Sequence, residues 1–310
     1  MALSAPLLTR KKTLMVKIES GKGTYAAGDQ AILAFDLAIN PTAPFEERRG
    51  TGIYRGVSNA GFHGLKTGTC SFTTELRGTG SGGMEAGLAI LLQACGLKKT
   101  SEVYQVQSTH TADSTISIDV WEDGVVKSLG GASGNVVFEG EAGNRMMCRF
   151  DFTGIWQDPV AGNAPSLTTL STTNPLLVKG GSFSLDANSI KIGKYNLDMK
   201  NTITVRKDAG SASGIAYCMI TDYSPTISCD PEADLIAGYD YDLHRRDGTL
   251  SAITLEVDNQ TDQVTFSTPK VQITDLKEGD REGIQIYDYT GVAVHNAGDN
   301  SVVITAAAHA

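Results

Sequence analysis

A glycine-rich turn is the part of this sequence that comes closest to a known chemical motif. Gly78, Gly80 and Gly83 satisfy the spacing G-x-G-x-x-G between a predicted strand and a predicted helix. In dinucleotide-binding proteins this spacing brings backbone N–H groups close to a pyrophosphate. Such a motif follows a strand that is apolar on both faces, and an acid further along binds the ribose. Here the preceding strand alternates and no such acid follows, so we interpret the motif as a flexible strand-to-helix turn.

The other reactive residue types form no local group. The acids of 230–234 and 240–242 fit helix capping and strand alternation better than paired-carboxylate catalysis. Folding could bring distant histidines together, but none has a second histidine at i, i+4 or a nucleophile nearby; they are His63, His110, His244, His295 and His309. The cysteines lack a C-x-x-C pair and are predicted to be reduced and buried; they are Cys70, Cys95, Cys148, Cys218 and Cys229. We therefore expect no catalytic site, no cofactor and no metal.

The net charge of the chain indicates which kinds of partner it binds. The net charge is −9, with 26 basic and 35 acidic residues, and the pI is near 5.1. Proteins that grip nucleic acid place lysine and arginine on the phosphates, and an acidic surface repels DNA. The basic clusters at 10–12 and at Arg48-Arg49 with Arg55 are short, so we interpret them as solvated faces or subunit contacts. No apolar run is long enough for a membrane span and the amino terminus is not a secretory signal, which predicts folding in a cytosol.

The pattern along the chain is mostly β. Strands are predicted at 13–18 and 31–37, and a half-buried strand is predicted where Cys70, Phe72 and Thr74 alternate with polar residues. Helical spacing predicts one helix over 84–95. A second helix is predicted over 231–237, because an N-cap aspartate is followed there by a first-turn proline. Each half therefore has strands, one helix and strands again.

The two halves of the chain resemble each other. Residues 114–154 can be laid over residues 251–291 without a gap, at a constant offset of 137 positions. The matched runs are 114–120 with 251–257, 141–143 with 278–280, and 150–154 with 287–291. A register shared across two strands and a turn favours an internal repeat of one domain. The alternative is a chance match between two β-rich segments.

Two stretches lack periodicity. Residues 158–175 carry a Ser/Thr run and are predicted to be a linker between a first domain at 1–157 and a second at 176–310. Residues 40–68 form a long loop in which glycines and prolines are interleaved with large apolar side chains. Such a loop either contacts a partner or folds back on its own domain.

Several runs in the first half resemble the tail tube proteins of long-tailed (siphovirus-like) bacteriophages. They are Phe72-Thr73-Thr74-Glu75-Leu76-Arg77-Gly78-Thr79-Gly80, Leu91-Leu92-Gln93-Ala94-Cys95-Gly96-Leu97, Ser117-Ile118-Asp119-Val120 with Asp123-Gly124, Gly131-Ala132-Ser133-Gly134-Asn135, and Leu14-Met15-Val16-Lys17-Ile18-Glu19-Ser20 with Thr24-Tyr25. The likeness covers about residues 10–157 and is weaker at 250–291. No single motif is diagnostic, because pattern and not catalytic residues unites the family.

The resemblance implies a mainly β chain of two tandem tail-tube-like β-sandwich or barrel domains, each with one flanking helix. In that family, strands of neighbouring subunits join in a ring, and stacked rings form the hollow tube through which double-stranded DNA leaves the capsid. Two such domains per chain imply a trimeric ring with pseudo-sixfold symmetry. The implied location is the virion tail, assembled in the host cytoplasm. The implied partners are further copies of the chain and the tape-measure and tail-terminator proteins, with DNA passing through unbound.

Strand alternation adds candidate residues to this reading. Ile116, Ile118, Val120 and their counterparts Ile253, Leu255 and Val257 are predicted to face the core, which turns their neighbours outward. The candidate lumen-facing residues are therefore Ser117, Asp119, Thr254 and Glu256. The candidate contacts between subunits or rings are Phe45, Arg48, Arg49, Ile53, Tyr54, Arg55, Phe62 and Leu65, together with the amino-terminal arm 1–12.

Other classes of protein share parts of this pattern. A baseplate or tail-completion protein is the nearest alternative within phage tails. A β-rich adhesin or carbohydrate-binding protein is also rich in strands and hydroxyl groups, but it normally carries an export signal and an aromatic platform. Trp121 and Trp156 alone do not make such a platform. Electron microscopy of the purified protein separates these classes.

Overall fold

The fold is mainly β in a computed structural model that describes residues 8, 10–50, 59–167 and 170–309. The elements of the first half are β1 (Lys12–Ile18), β2 (Gln30–Ile32), β3 (Phe35–Pro41), β4 (Phe45–Arg48), β5 (Asn59–His63), β6 (Thr67–Glu75), α1 (Ala86–Ala94), β7 (Leu97–Thr100), β8 (Val103–Val106), β9 (Ile116–Glu122), β10 (Val125–Glu141) and β11 (Met147–Ala161). A single 3-10 turn at His110–Ala112 precedes β9.

The second half repeats this order of elements. It contains β12 (Phe183–Leu185), β13 (Asn188–Ser189), β14 (Lys194–Asp198), β15 (Thr202–Lys207), β16 (Ile215–Asp222), β17 (Thr226–Cys229), α2 (Tyr241–Asp247), β18 (Ser251–Asp258), β19 (Asp262–Arg281), β20 (Ile284–Ala293) and β21 (Val303–Ala308). The β15–β16 hairpin takes the place of β4–β5, and the pair β20 and β21 takes the place of the long strand β11. Among the described residues, the β7–β8 hairpin has no counterpart in the second half.

Each half contains two sheets that share its longest strands. In the first half, β3–β6–β11–β10 form one sheet, and β2–β1–β9 continue into the other end of β10. In the second half, β14–β17–β20–β19 and β13–β12–β18–β19–β21 are arranged in the same way. Register shifts in β10 at 130–133 and in β19 at 268–271 lie where these strands pass from one sheet to the other. Such bulges bend a strand, which allows it to serve two sheets.

Two strand pairings join the halves. At the first seam β10 pairs antiparallel with β14, so the first sheet of each half continues into one sheet with the order β3–β6–β11–β10–β14–β17–β20–β19. At the second, β21 pairs with β8, which ties the end of the second half to the first. We call the eight-stranded sheet the shared sheet. Because strands of the two halves pair with each other, the division into domains at 1–157 and 176–310 remains a prediction.

The hydrophobic core follows the strand alternation. Ile116, Ile118 and Val120 are fully buried, and their second-half counterparts Ile253, Leu255 and Val257 are 0–2% exposed, as the alternation predicted. The core is continuous between the halves, since the rings of Phe138 and Phe266 meet edge to face with centroids 5.0 Å apart. On the first half, three stacked phenylalanine rings fill the space under β6 and β11; they are Phe72, Phe150 and Phe152.

The 137-residue offset holds for two strands of each half and fails for the third. Strands β10 and β19 begin at 125 and 262, and their pairing with β9 and β18 is equivalent: Val120 lies opposite Lys127, and Val257 opposite Val264. Phe152, however, lies opposite Gly134, whereas Tyr289 lies opposite Leu276. The hairpin turn between β19 and β20 is only two residues long. Residues of β20 therefore pair with later residues of β19 than the offset of 137 would place opposite them.

Several local elements predicted from the sequence are present, and others have different bounds. The helix predicted at 84–95 is confirmed as α1, and the strand at 13–18 as β1. The predicted strand at 31–37 is instead two short strands, β2 and β3. The predicted linker begins too early, because β11 continues to Ala161, and the predicted loop 40–68 contains the β4–β5 hairpin.

The helix predicted at 231–237 is wrong. Residues 231–240 form turns, and the Asp230 carboxylate accepts hydrogen bonds from the N–H groups of Gly193 and Lys194 at 2.7 and 2.6 Å. The helix of this half, α2, begins after these turns, at Tyr241, where Asp240 accepts a hydrogen bond from the N–H of Leu243 at 2.9 Å. Asp230 therefore joins two distant loops and does not cap a helix.

Candidate functional site

The outer face of the shared sheet is a polar surface that crosses both halves. One row of register partners shows its character, because residues directly opposite each other in a sheet point to the same side. The row runs from β11 to β19 and contains Met147, Glu139, Asn196, Ser228, Thr290 and Asp275. On β6 the same face carries Thr69, Ser71 and Thr73, while their neighbours Cys70 and Phe72 are buried.

Acidic side chains outnumber basic ones on this face. The carboxylates are Glu139, Glu141, Asp151, Asp198, Asp275 and Asp288, and the basic side chains are Arg149, Lys194 and Lys277. The bases lie beside acids: Arg149 pairs with Glu139 at 3.2 Å, and Lys277 with Asp275. Six acids against three bases leave a formal charge of −3. The face therefore offers carboxylates and hydroxyls without an unpaired cluster of cations.

A shallow groove of about 620 Å³ lies on this face where the halves join. Its floor is the β10–β14 seam, at which Glu141 lies opposite Lys194. Lining residues are contributed by five strands of the sheet and by the turn before β11, so the groove belongs to neither half alone. Arg145, the arginine among its lining residues, is bound to the buried carboxylate of Glu75, which lies outside the groove. The groove is open, mixed in charge and continuous with the rest of the face.

Ser117 and Asp119, predicted to face a lumen, are in fact buried. Their side chains are 0% and 1% exposed, because the segment between β1 and β2 covers this side of β9. Asp119 accepts hydrogen bonds from the Tyr25 hydroxyl at 2.8 Å and from the Gly28 N–H at 2.7 Å. Desolvation, together with the hydrogen bond to Asp119, raises the pKa of Tyr25 to about 12. The face of β9 that carries Ser117 and Asp119 is therefore inside the protein, and neither residue lines a channel.

Glu19 is the centre of this covered region. Its carboxylate, on a residue that is only 7% exposed, accepts from the hydroxyls of Thr115 and Ser117 at 2.7 and 2.8 Å. The backbone N–H groups of Gly23 and Gly131 donate to it as well, at 2.8 and 2.6 Å. Four donors replace the water that a buried carboxylate loses. The hydroxyls predicted to face a channel thus bind an acid of the same chain.

Thr254 and Glu256, the other two candidates, are half-buried. Thr254 lies opposite Ser184 on β12, and the N–H of Glu256 donates to the Ser182 carbonyl at 2.8 Å. The short strand β12 therefore runs along their strand, as β1 runs along β9. Their assignment to a lumen remains a prediction from the sequence.

The glycine turn binds a carboxylate of its own chain. The N–H groups of Gly80 and Gly82 each donate to Asp262 at 2.8 Å, and the aspartate is 1% exposed. A side chain at Gly78 would place its Cβ 2.3 Å from the same carboxyl group. Turn N–H groups that converge in this way form an anion site. Here the anion is the first residue of β19, so the turn holds the two halves together.

A serine, a histidine and an aspartate meet in the second half, although no local pattern in the sequence predicted this cluster. His244 Nδ1 lies 3.0 Å from the Ser251 hydroxyl and 3.6 Å from Asp186, and the Tyr239 hydroxyl contacts all three residues. A catalytic triad needs the serine on one ring nitrogen and the acid on the other, so that a proton can pass between them. Both partners here share Nδ1, and Ser251 is 0% exposed. The cluster therefore lacks the geometry of a triad and fastens α2 to β18.

The residues predicted to contact other subunits have several environments. Phe45 and Phe62 are exposed (58% and 51%) on the β4–β5 hairpin, and Arg48 and Arg49 are exposed beside them. Leu65 is half-buried against Gly214 of the second half. Ile53, Tyr54 and Arg55, and most of the arm 1–12, lie outside the described residues.

Within the part of the chain that the structure describes, no group of three His, Cys, Asp or Glu side chains could hold a metal ion. All five cysteines are free thiols and buried. In the same residues, no helix is both long and apolar enough to cross a bilayer.

Comparison with known proteins gives no relative. No protein-family model matches the chain, and no curated protein sequence matches it.

Proposed function

We propose that this chain is a tail tube protein: a virion protein whose copies form stacked rings around a channel for double-stranded DNA. The observation that carries the proposal is the shared sheet, which runs through two repeats of the same strand order and presents one polar face. It is supported by the resemblance of the first half to phage tail tube proteins. Two repeats per chain lead to a ring of three chains with pseudo-sixfold symmetry.

The polar face of the shared sheet is the candidate channel wall. DNA carries a dense row of phosphates, and lysine or arginine side chains that neutralise them release counterions and bind. A wall along which DNA slides therefore needs hydroxyl and acidic groups, with any bases paired. The outer face of the shared sheet has this composition, with Asp151 and Asp288 exposed on strands of different halves. This face replaces the buried Ser117 and Asp119 as the proposed lining.

Negative-stain electron microscopy of the purified chain tests the proposal. We expect hollow tubes, or rings at low protein concentration, and three chains in each ring by mass measurement. Six whole chains in a ring, with the second half outside it, would reject the pseudo-sixfold arrangement. A protein that stays monomeric at every concentration, or that binds glycans as a monomer, would reject the tube itself.

A further inference from the structure

The shared sheet ends in two strands whose outer edges are unpaired. Among the described residues, β3 pairs only with β6, and residues 275–281 of β19 pair only with β20. A free strand edge offers a row of N–H and C=O groups to another chain. The two edges belong to opposite ends of one sheet, so they can meet only between different copies.

The same two edges have partners at the seam inside the chain. The row Ala38–Ser71–Asp151–Asn135 crosses the sheet of the first half, and the row Asp198–Thr226–Val292–Gln272 crosses that of the second. The rows are equivalent because Asn135 and Gln272 are 137 positions apart. Ala38 thus corresponds to Asp198. In the next row, Val137–Arg149 of the first half corresponds to Asp275–Thr290 of the second, because Thr274 is an extra residue at the register shift of β19. Within the chain, Asp198 is the register partner of Val137.

We infer that β3 of one copy pairs antiparallel with 275–279 of β19 in the next copy, as β14 pairs with β10 within the chain. Ala38 then lies opposite Asp275 of its neighbour. This inference rests on the proposed function for the claim that the chain assembles with itself, and it names the surfaces that do so. The contact is head to tail, because each copy uses one edge for each neighbour, and contacts of this type close into rings.

The turn after β19 shows which N–H groups are available at the β19 edge. Arg281 and Ile284 flank a two-residue turn at Glu282 and Gly283, both of which have positive φ. In such a hairpin the flanking residues exchange hydrogen bonds, and alternate residues along the strand then face the same partner. Gly279 and Lys277 therefore bond to β20, and the N–H of Glu278 points away from it, toward the free edge.

The long hairpins of the two halves fit the same pairing. Inside the chain, β15–β16 packs on the first half, where the Ser133 hydroxyl donates to the Cys218 carbonyl at 2.9 Å. A Cβ added to Gly96, just after α1, would lie 3.0 Å from Ile220 of that hairpin. The counterpart of this surface in the second half is the end of α2, where Leu243 and Leu250 are 38% and 39% exposed. Pairing of β3 with β19 brings the β4–β5 hairpin of one copy, with its exposed Phe45 and Phe62, toward this surface of the next.

A disulfide across the new seam is the first test. Register partners have Cβ atoms about 4.5–5.5 Å apart, which is within reach of a disulfide. The double variant Ala38→Cys/Asp275→Cys, assembled and then oxidised, should give a ladder of covalent multimers on a non-reducing gel. A mixture of the two single variants should give dimers only, and each single variant alone none, since the native cysteines are buried. The matched control Ala38→Cys/Glu282→Cys places the second thiol at the far end of the strand and should give no ladder.

A proline at the free edge is the second test. Glu278→Pro removes an N–H that points outward and leaves the bonds to β20 in place, a position where strands tolerate proline. We expect the assembled fraction to fall at least tenfold, with an unchanged circular dichroism spectrum of the monomer. Glu278→Ala, which keeps the N–H and removes the same carboxylate, should assemble like the parent chain.

The outcomes separate the pairing from the proposed function. Tubes that form normally but give no ladder with the 38/275 pair would overturn the edge pairing and leave the tube proposal standing, as would normal assembly of Glu278→Pro. A parent chain that never assembles would overturn both. If Glu278→Pro fails to fold, the cysteine pair decides alone.

Discussion

Backbone N–H groups, more than ion pairs, hold the buried carboxylates of this chain. Glu19 and Asp119 bind glycine N–H groups of the segment that covers β9, and Asp262 binds those of the glycine turn. Asp119 and Asp262 are distant in sequence from their donors, and Glu19 accepts from the nearby Gly23 and from the distant Gly131. The alternation of β9 correctly placed Ile116 and Ile118 inside, but it could not reveal that a second segment buries the other face. A period of two gives the two faces of a strand and not what lies on each.

Removing the Asp262 carboxylate should destabilise the protein at the joint between its halves. Asp262→Ala leaves two turn N–H groups without an acceptor, and each unsatisfied buried donor costs about 1–3 kcal/mol. We expect the free energy of unfolding to fall by about 2–4 kcal/mol in urea titrations. Asp288→Ala, which removes an exposed carboxylate, is the control and should change it by less than about 0.5 kcal/mol. Equal stability of the two variants would contradict the role given to the turn.

The elements show where local sequence signals suffice. Helix α1 and strands β1 and β6 lie where periodicity predicted them, because one apolar face of each is buried against the core. The second helix was misplaced because Asp230-Pro231 carries a capping signature whose aspartate bonds instead to a loop 37 and 36 residues away. The true cap, Asp240, and the left-handed Gly248 that ends α2 are also present in the sequence. Tertiary partners decided between the two signals.

Alanine substitution at Gly23 tests whether the β15–β16 hairpin packs on the first half. Gly23 has φ +79°, and a Cβ there would lie 2.0 Å from the Ala216 carbonyl oxygen of the hairpin. Gly143 has φ +85° with open space around it. Alanine at Gly143 should cost about 1 kcal/mol from backbone strain alone, and alanine at Gly23 about 1–3 kcal/mol more from overpacking. Thermal unfolding of both variants measures the difference; no difference would show that the hairpin does not pack on Gly23 in solution.

For the whole molecule, the polar face of the shared sheet could not be read from local patterns. The sequence shows that Arg149, Asp151 and Thr153 alternate with apolar residues on β11, and it shows the same alternation on β9. Only the strand order shows that the polar face of β11 is exposed in a sheet shared by both halves, whereas the polar face of β9 is covered. The β10–β14 seam joins residues about 60 positions apart, a distance over which periodicity carries no information.

Charge reversal on the shared sheet tests the proposed channel wall. Asp151→Lys with Asp288→Lys places two cations on strands of different halves, where they would bind passing phosphates. We expect phage carrying both changes to assemble tubes of normal appearance and to eject DNA more slowly in a fluorescence assay. The matched double variant Asp222→Lys/Asp247→Lys makes the same change in charge at exposed positions on a hairpin end and a helix end. Ejection at the parent rate by the first variant, with intact tubes, would exclude this face as the lining.

The β10–β14 seam also has a consequence for the concentration at which copies associate. Two repeats in one polypeptide make that seam an intramolecular contact, whose effective concentration is on the order of millimolar and does not fall on dilution. In a ring of three chains, half of the seams would then already be formed in every free chain. Only two encounters between molecules would be needed where separate repeats need five, because the last seam of a ring closes within the assembly. Rings of linked repeats should therefore begin to form at lower protein concentration than rings of unlinked ones.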